Sequence, residues 1–242
     1  MSVLVIDGLT KTFRGFTAVD DVSLRIDQGE LRGLIGSNGA GKSTLLHLIY
    51  GKLEADQGTI RFDETDVSRL PAHLRARRGM GLVFQLTSVF DELTVEENLL
   101  LGALPKKPRA RLPVDREEVE RILHLVELDD VRHRHASQLS HGRQQWLEIG
   151  IVLLAKPKLL LLDEPTSGMT RAESRRTAEL LKQLQASRAT EAIIVVEHNI
   201  EFIRLVSDRV TVMHRGQVLA DGTIDEVQAN HEVQASFLGR LH

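Results

Sequence analysis

The chain has 242 residues, 42% of them hydrophobic, which suits one large α/β domain or two small ones. Its 31 basic and 34 acidic residues give a net charge of -3, which argues against nucleic acid as a partner, and the absence of cysteine excludes disulfides and thiolate metal sites. We find no signal-peptide pattern at the N-terminus and no apolar run as long as a membrane span, so we expect any membrane role to come through a partner.

Short apolar segments alternate with amphipathic segments along most of the chain. Strands are predicted near residues 3–6, 30–35, 80–84, 158–162, 192–196 and 210–214, with helices between them. This alternation predicts a mainly parallel sheet joined by crossover helices. Residues 158–162 read KLLLL, and a strand that is covered on both faces is apolar almost throughout, so we expect this strand at the centre of the sheet.

The pattern changes between residues 95 and 155, where one helical pattern follows another. A break rich in proline and arginine, LPKKPRARLPV, interrupts it at residues 104–114. We interpret the region as a helical subdomain inserted into the α/β core, and the break as a mobile surface loop. The cationic residues of the break form either a solvated face or a contact with membrane headgroups or a partner.

A phosphate-binding pattern, Gly36-x4-Gly41-Lys42-Ser43, lies between a strand-like and a helix-like segment. In such a loop the backbone N–H groups and the N-terminus of the following helix surround nucleotide phosphates. Lys42 is expected to reach the β- and γ-phosphates, and the Ser43 hydroxyl to bind Mg²⁺. The predicted nucleotide-binding residues of the loop are Ser37, Asn38, Gly39, Ala40, Gly41, Lys42, Ser43 and Thr44.

Two carboxylates follow the apolar strand, in the sequence LLLLDEP. In open α/β sheets ligands bind at this end of the strands. Asp163 is therefore the expected partner of Mg²⁺, through water, and Glu164, one residue further out, is the expected general base for an attacking water. An acidic strand-end turn is the alternative, but the phosphate-binding loop earlier in the chain favours the functional interpretation.

Residues 139–145 read LSHGRQQ, and here the sequence resembles the ATP-binding-cassette (ABC) family of transport ATPases, whose signature is Leu-Ser-Gly-Gly-Gln. The resemblance covers nearly the whole chain. Phe13 falls where the family stacks an aromatic ring on adenine, Gln85 matches its glutamine loop, and His198 its switch histidine. The resemblance implies that Gln85 helps to bind Mg²⁺ and joins the nucleotide site to the helical subdomain. It also implies that His198 contacts the γ-phosphate and helps to place the attacking water. The alternatives are an ordinary core or turn aromatic for Phe13, with Phe16 as a competitor, and a satisfied strand-end histidine for His198.

The resemblance also implies a fold. We expect a P-loop NTPase with a mainly parallel core sheet, an N-terminal antiparallel β part and an inserted α-helical subdomain. The single ABC ATPase domain, residues 1–242, would comprise a nucleotide-binding core (1–94 and 156–222), a helical signature subdomain (95–155) and a C-terminal extension (223–242).

In the ABC family the signature completes the ATP site of a second subunit. Ser140, Gly142 and the N-terminus of the following helix are thus expected to donate to the γ-phosphate in trans, while Arg143 either stabilises phosphate there or points to solvent. The resemblance implies a head-to-tail pair of ATPase subunits, identical or paralogous. It also implies transmembrane permease subunits, an indirect link to a substrate-binding protein, and a cytoplasmic place on the inner face of the membrane.

The sequence departs from the family pattern in four places. His141 stands where glycine is usual and Arg143 where glutamine is usual, and residues 167–170, SGMT, lack the common aspartate. We expect His141 to be a buried spacer rather than a proton donor. Trp146 stands where arginine is usual, and we expect it in the core rather than at a contact. The hydrolytic residues are intact.

Subgroup features bear on the transported solute. The tail at residues 218–240 resembles that of branched-chain amino acid importer ATPases and their relatives, and LSHG, QWLEIG and EPTSGMT most resemble the ATPase of urea or short-chain amide importers. We therefore predict a subunit that powers urea or amide import. The alternatives are a branched-chain amino acid importer ATPase, a lipopolysaccharide exporter ATPase, suggested by residues 69–81, and, from another class, a soluble non-transport ABC ATPase or a nucleotide sensor.

Overall fold

The structure is a computed structural model that describes residues 1–85, 88–103 and 115–238. The predicted loop at residues 104–114 lies outside the described residues. The strands are β1 (Ser2–Phe13), β2 (Phe16–Asp27), β3 (Leu31–Gly36), β4 (Gln57–Phe62), β5 (Thr65–Asp66), β6 (Met80–Val83), β7 (Leu159–Asp163), β8 (Ala192–Val196), β9 (Arg209–His214) and β10 (Gln217–Gly222). The α-helices are α1 (Lys42–Tyr50), α2 (Ala72–Arg77), α3 (Val95–Gly102), α4 (Arg116–Leu125), α5 (His141–Leu154), α6 (Arg171–Ala186), α7 (Ile200–Val206), α8 (Ile224–Ala229) and α9 (His231–Leu238).

The larger sheet has the strand order β10-β9-β3-β8-β7-β6. Its neighbouring strands pair in parallel except β10 and β9, which confirms the prediction of a mainly parallel sheet. The prediction that residues 158–162 form the central strand is wrong: β3 and β8 occupy the middle, and β7 lies beside β6, the outer strand among those described. All of β7 is nevertheless buried, because both faces of the sheet are covered. Its apolar sequence therefore indicates that both faces are covered, and it does not indicate a central position in the strand order.

The smaller sheet is antiparallel, with the order β2-β1-β4-β5, and it confirms the expected N-terminal antiparallel β part. Buried and exposed residues alternate through much of β2, since one face of this sheet packs inward and the other meets solvent. Such half-polar strands lack the apolar runs by which the strands of the larger sheet were predicted. The same holds for β10 at the edge of the larger sheet, where exposed and half-buried residues dominate.

Two hydrophobic clusters lie on opposite faces of the larger sheet. Leu159 and Leu161 of β7 belong to the cluster that includes α1 and the antiparallel sheet. Leu160 and Leu162 belong to the other cluster, which includes α3 to α7. The helices between residues 95 and 155 therefore share one continuous core with the sheet. The division of the chain into a core, a helical subdomain and a C-terminal extension stays a prediction.

The helices of the described residues are short compared with a membrane span, which needs roughly 20 apolar residues. The α6 helix has 16 residues and reads RAESRRTAELLKQLQA, with charged residues along most of its length. Within the described ranges, none of the helices combines the length and the apolar composition needed to cross a bilayer.

Candidate nucleotide-binding site

The phosphate-binding loop connects the end of β3, in the middle of the larger sheet, to the start of α1. Gly41 adopts a φ of 100°, and a Cβ there would lie 2.2 Å from the carbonyl oxygen of Ala18, so the site requires glycine. Lys42 is 5% exposed, and its Nζ donates to the carbonyl oxygens of Gly36 (2.9 Å) and Ser37 (3.2 Å). The loop thus encloses the cation that is predicted to bind phosphate.

Burial perturbs the two oppositely charged groups next to this loop. It lowers the pKa of Lys42, although the carboxylates of Glu164 and Asp163 oppose the shift. It raises the pKa of Asp163, against the hydrogen bond from Ser43. The ionised form of each group would therefore gain from an added counter-charge, which a phosphate would supply to the lysine and a metal ion to the carboxylate.

Ser43 and Asp163, two of the predicted magnesium ligands, are in direct contact. The Ser43 hydroxyl donates to Asp163 Oδ1 over 3.0 Å, and Asp163 is 4% exposed at the last position of β7. Hydroxyl and carboxylate oxygens are ligands that Mg²⁺ prefers, so this pair fits the predicted ion. Gln85, the third predicted ligand, instead directs its side-chain nitrogen at Glu164.

Glu164 meets the other two predicted catalytic residues directly after β7. Its φ of 49° lies in the left-handed region, and its N–H donates to the Val196 carbonyl oxygen over 2.9 Å. Gln85 Nε2 donates to Glu164 Oε2 over 3.0 Å, and His198 Nδ1 lies 4.0 Å from the same oxygen. The His198 side chain is 62% exposed, so it is not a buried, satisfied strand-end histidine.

A cleft of about 320 Å³ opens between the phosphate-binding loop and these residues. Its lining consists of Asn38, Gly39, Ala40, Gly41, Lys42, Ser43, Thr44, Gln85 and Glu164. Most of the predicted phosphate-binding loop, together with two of the predicted catalytic residues, therefore faces one space. The cleft is large enough to admit a phosphate chain.

Phe13 lies outside this lining, at the end of β1 opposite Phe16 of β2. It is 41% exposed, and Lys11 Nζ lies 5.6 Å from its ring centroid. This exposure excludes a core aromatic and leaves a ring at the end of a hairpin. Phe16 is 61% exposed and stays a competitor for a stacking role.

The signature residues contact α6 rather than the cleft. Ser140 caps α5, accepting from the Arg143 N–H over 3.4 Å, and its hydroxyl donates to Glu173 Oε1 over 3.3 Å. A Cβ on Gly142 would lie 2.6 Å from the same oxygen of Glu173, so the first turn of α5 packs closely against that of α6. Ser140, Gly142 and Arg143 are thus not brought together with the described phosphate-binding loop of their own chain.

Two departures from the family pattern have contacts that the sequence did not indicate. Arg143 pairs with Asp130 (Nη1–Oδ2 3.0 Å), so it neither points freely to solvent nor faces the cleft. The prediction of His141 as a buried spacer is wrong, because His141 is exposed. It is the first residue of α5, beside Gly168 in the loop after Glu164, whereas the core-facing residues of α5 follow later in the helix.

Trp146 lies in the core, as predicted. It is 9% exposed, and its indole Nε1 donates to Thr177 Oγ1 of α6 over 3.0 Å. The hydrogen bond satisfies the indole donor inside an apolar environment. The tryptophan therefore fastens the signature helix to α6.

Glu197 is a site residue that the sequence did not single out. It is fully buried and accepts from the N–H (2.9 Å) and hydroxyl (2.5 Å) of Thr166, while the His198 N–H donates to its other oxygen over 3.2 Å. It therefore ties the loop after Glu164 to the end of β8. The sequence offers one indication of this role, which is a carboxylate directly before His198. Its partner Thr166 could not be identified in this way, because it lies 31 residues away in sequence.

Comparisons with known proteins agree with this geometry. The sequence profile of the family described as "ABC transporter" matches residues 19–167. The "High-affinity branched-chain amino acid transport ATP-binding protein BraF" of Pseudomonas aeruginosa is 33% identical over 98% of this chain and 98% of its own length. The "Lipopolysaccharide export system ATP-binding protein LptB" of Haemophilus influenzae is also 33% identical, over 99% of this chain and 98% of its own length.

Solved structures show the same fold. The ADP conformation of MJ1267, an ATP-binding cassette of an ABC transporter, superposes with a TM-score of 0.88 at 30% identity, over 99% of this chain and 100% of that one. A dimeric post-hydrolysis state of the ATP-binding cassette MJ0796, bound to ADP and Pi, has a TM-score of 0.81 at 27% identity, over 91% and 98%. The predicted P-loop ABC ATPase fold is therefore confirmed. The chain belongs to the ABC transporter family, as one of its ATP-hydrolysing, nucleotide-binding cassettes.

Proposed function

We propose that Glu164 is the general base of ATP hydrolysis in this cassette. The observation that carries this proposal is the position of its carboxylate, which lines the cleft and lies 3.0 Å from Gln85 Nε2 and 4.0 Å from His198 Nδ1. A water placed by these side chains attacks the γ-phosphorus and gives its proton to Glu164, while the bond from phosphorus to the β,γ-bridging oxygen breaks. The products are ADP and phosphate, and Lys42 stabilises the charge that develops on the bridging oxygen.

Three further roles complete the proposed site. Ser43 and Asp163 would hold Mg²⁺, with Gln85 as an additional ligand, and the ion would neutralise phosphate charge. The N–H groups at the start of α1 would hold the phosphate oxygens. Phe13 would stack on adenine, which is compatible with its exposed ring at the end of the β1–β2 hairpin.

The signature residues support a site shared by two ATPase subunits. Ser140 is exposed at the N-terminus of α5, and neither Ser140, Gly142 nor Arg143 lines the described cleft of its own chain. A helix N-terminus with unpaired N–H groups favours phosphate. In a head-to-tail pair these donors would reach the γ-phosphate on the other subunit, and the dimeric state of the similar cassette MJ0796 supports this arrangement.

Replacing Glu164 with Gln tests both the base and the shared site. ATP binding should persist, turnover should fall roughly 10²- to 10⁴-fold, and a dimer should accumulate with saturating ATP and Mg²⁺, as measured by light scattering. The matched control is Glu54→Gln, an exposed carboxylate outside the cleft. Parental turnover in the Glu164 variant would refute the base, whereas an inactive, ATP-bound monomer would refute the shared site alone.

We further propose that the cassette works on the inner face of the cell membrane, attached to transmembrane permease subunits that receive solute from a binding protein. Membership of the ABC transporter family and the transport function in the name of BraF support this assignment. Co-purification of permease subunits with the tagged cassette from membranes is the measurement, and recovery of the cassette without any membrane protein would contradict it.

For the solute, import of branched-chain amino acids is the first candidate. BraF, named for that transport, is 33% identical over almost the full length of both chains. The predicted import of urea or short amides is the second candidate, and only LSHG, QWLEIG, SGMT and the importer-like tail favour it, without support from these relatives. LptB has the same identity to this chain, 33%, and lipopolysaccharide export is therefore the alternative to both importer candidates.

Proteoliposomes that contain the cassette, its permease subunits and a binding protein distinguish these solutes. Leucine-loaded binding protein should raise ATP turnover and drive leucine accumulation, while the urea-loaded protein should do neither. Stimulation by urea alone would reverse the order of the two candidates. A response to neither solute would refute both importer assignments and leave the hydrolytic mechanism untouched.

A further inference from the structure

The α5 helix packs very closely against β6, the strand that leads to Gln85. A Cβ on Gly81 would lie 2.6 Å from Val152 Cγ1, so a glycine in β6 allows this approach. Gln145, Glu148 and Val152 are spaced i, i+3 and i+7 along α5 and therefore share one face of the helix. The face that packs on Gly81 thus also carries two polar side chains toward the end of β6.

These two side chains hold the backbone of Phe84, the residue directly after β6. The Phe84 N–H donates to Glu148 Oε1, and Gln145 Nε2 donates to the Phe84 carbonyl oxygen, each over 3.4 Å. The N–H of Ser88 also donates to the Glu148 carboxyl group. Because one helix binds both the N–H and the C=O of Phe84, a movement of α5 relative to β6 must displace Phe84 or break these bonds.

Burial of the Glu148 carboxyl group is energetically unfavourable. Glu148 is 3% exposed, and within the described part of the chain its Oε2 has no hydrogen-bond partner. Burial raises its pKa to about 7, against the N–H groups of Phe84 and Ser88. An apolar side chain of similar size would avoid the penalty of burying the carboxyl group, but it would leave the N–H groups of Phe84 and Ser88 without this acceptor.

The backbone of Phe84 leads directly to the proposed catalytic centre. Val83 pairs with Leu162 in the parallel β6–β7 ladder, which brings the residues after the two strands level with one another. Gln85 follows Phe84, and its Nε2 donates to Glu164 Oε2 over 3.0 Å. A displacement of Phe84 therefore changes how Gln85 meets the proposed base.

We propose that Glu148 is a positioning residue for ATP hydrolysis, which acts through the Phe84 backbone to hold Gln85 against Glu164. Because Glu148 lies on the helix that Ser140 caps, it also couples the placement of the signature to that of the general base. The inference rests on the proposed roles of Gln85 and Glu164. Glu148 itself is not among the residues that line the cleft.

Glu148→Leu removes the acceptor for the Phe84 N–H and keeps the buried volume. We expect kcat to fall roughly 10- to 100-fold, as for a displacement of about 1 Å in a catalytic group, with KM for ATP unchanged because Lys42 and its loop are untouched. Glu148→Gln keeps an acceptor oxygen and should restore most of kcat. Thr177→Val is the matched control, since it removes the buried hydroxyl that accepts from Trp146 of α5 without touching Phe84, and it should leave kcat unchanged.

A double-mutant cycle with Gln85→Ala separates positioning from general damage. If Glu148 acts through Gln85, Glu148→Leu should reduce kcat less than twofold further in the Gln85→Ala background. Losses that multiply in full, or parental kcat in Glu148→Leu, would overturn the inference. If Glu148→Leu fails to fold, Gln145→Leu enters the same cycle with the same expected outcomes. Full turnover in Glu164→Gln would instead refute the proposed base, so the two failures are distinguishable.

Discussion

The pH dependence of stability tests whether the buried carboxyl group of Glu148 is neutral in the folded protein. Its pKa rises from 4.5 to about 7 because the side chain is buried. Between these two values the folded state keeps a proton that the unfolded chain has released. The contribution of Glu148 to the free energy of unfolding should therefore fall as the pH rises from 4.5 to 7 and level off above pH 7. A Glu148→Gln variant has no proton to release at this position and should lack this decrease.

The magnitude follows from the two pKa values. At 1.36 kcal/mol per pH unit, the change from 4.5 to about 7 corresponds to about 3 kcal/mol. Little solvent reaches the group, since Glu148 is 3% exposed. Among the described residues, the N–H groups of Phe84 and Ser88 are its polar neighbours, and they do not titrate in this range. The difference between variant and parent should therefore report Glu148 itself.

The assay is urea unfolding of parent and Glu148→Gln without nucleotide, at pH 5, 6, 7 and 8, with linear extrapolation to water. The stability of the variant relative to the parent should rise by about 2–3 kcal/mol across this series, because part of the full change lies below pH 5. Glu54→Gln, an exposed glutamate, serves as the control and should stay parallel to the parent. A difference between Glu148→Gln and the parent that stays constant within about 1 kcal/mol would refute the reasoning, because it would mean that Glu148 ionises in the folded state as it does in the unfolded chain.

Two further substitutions test the phosphate-binding loop and the signature. Gly41→Ala places a Cβ 2.2 Å from the Ala18 carbonyl oxygen at a φ of 100°, so urea unfolding should show a loss of about 1–3 kcal/mol and nucleotide titration a weaker affinity; parental values in both would contradict this close approach. Arg143→Ala removes an ion pair with Asp130 that contributes at most about 1 kcal/mol, so single-subunit ATP affinity should hold while ATP-dependent dimerisation weakens; unchanged dimerisation would limit Arg143 to its pairing with Asp130.

The placement of the proposed nucleotide-binding residues was predictable from the sequence because it depends on local structure. The phosphate-binding loop requires glycine where the backbone turns sharply, a lysine at the start of a helix, and a hydroxyl next to it, and all of these lie within residues 36–43. The carboxylates Asp163 and Glu164 were predictable for a similar reason, since an apolar strand that ends in acidic residues presents them at the ligand-binding edge of a parallel sheet. The alternating apolar segments likewise predicted the type of sheet.

The tertiary structure alone decided which distant residues meet. The position of β7 in the sheet depends on pairing between strands far apart in sequence. An apolar pattern indicates that both faces of a strand are covered, but it does not indicate which strands lie beside it. The exposure of His141, the Arg143–Asp130 pair and the Thr166–Glu197 bonds arise from packing between elements. Glu148 reads as one polar residue in a helical pattern, and it reaches Phe84 only because Gly81 lets α5 approach β6 so closely. Local sequence thus determines the groups that are proposed to bind phosphate, whereas long-range packing determines which side chains hold those groups in place.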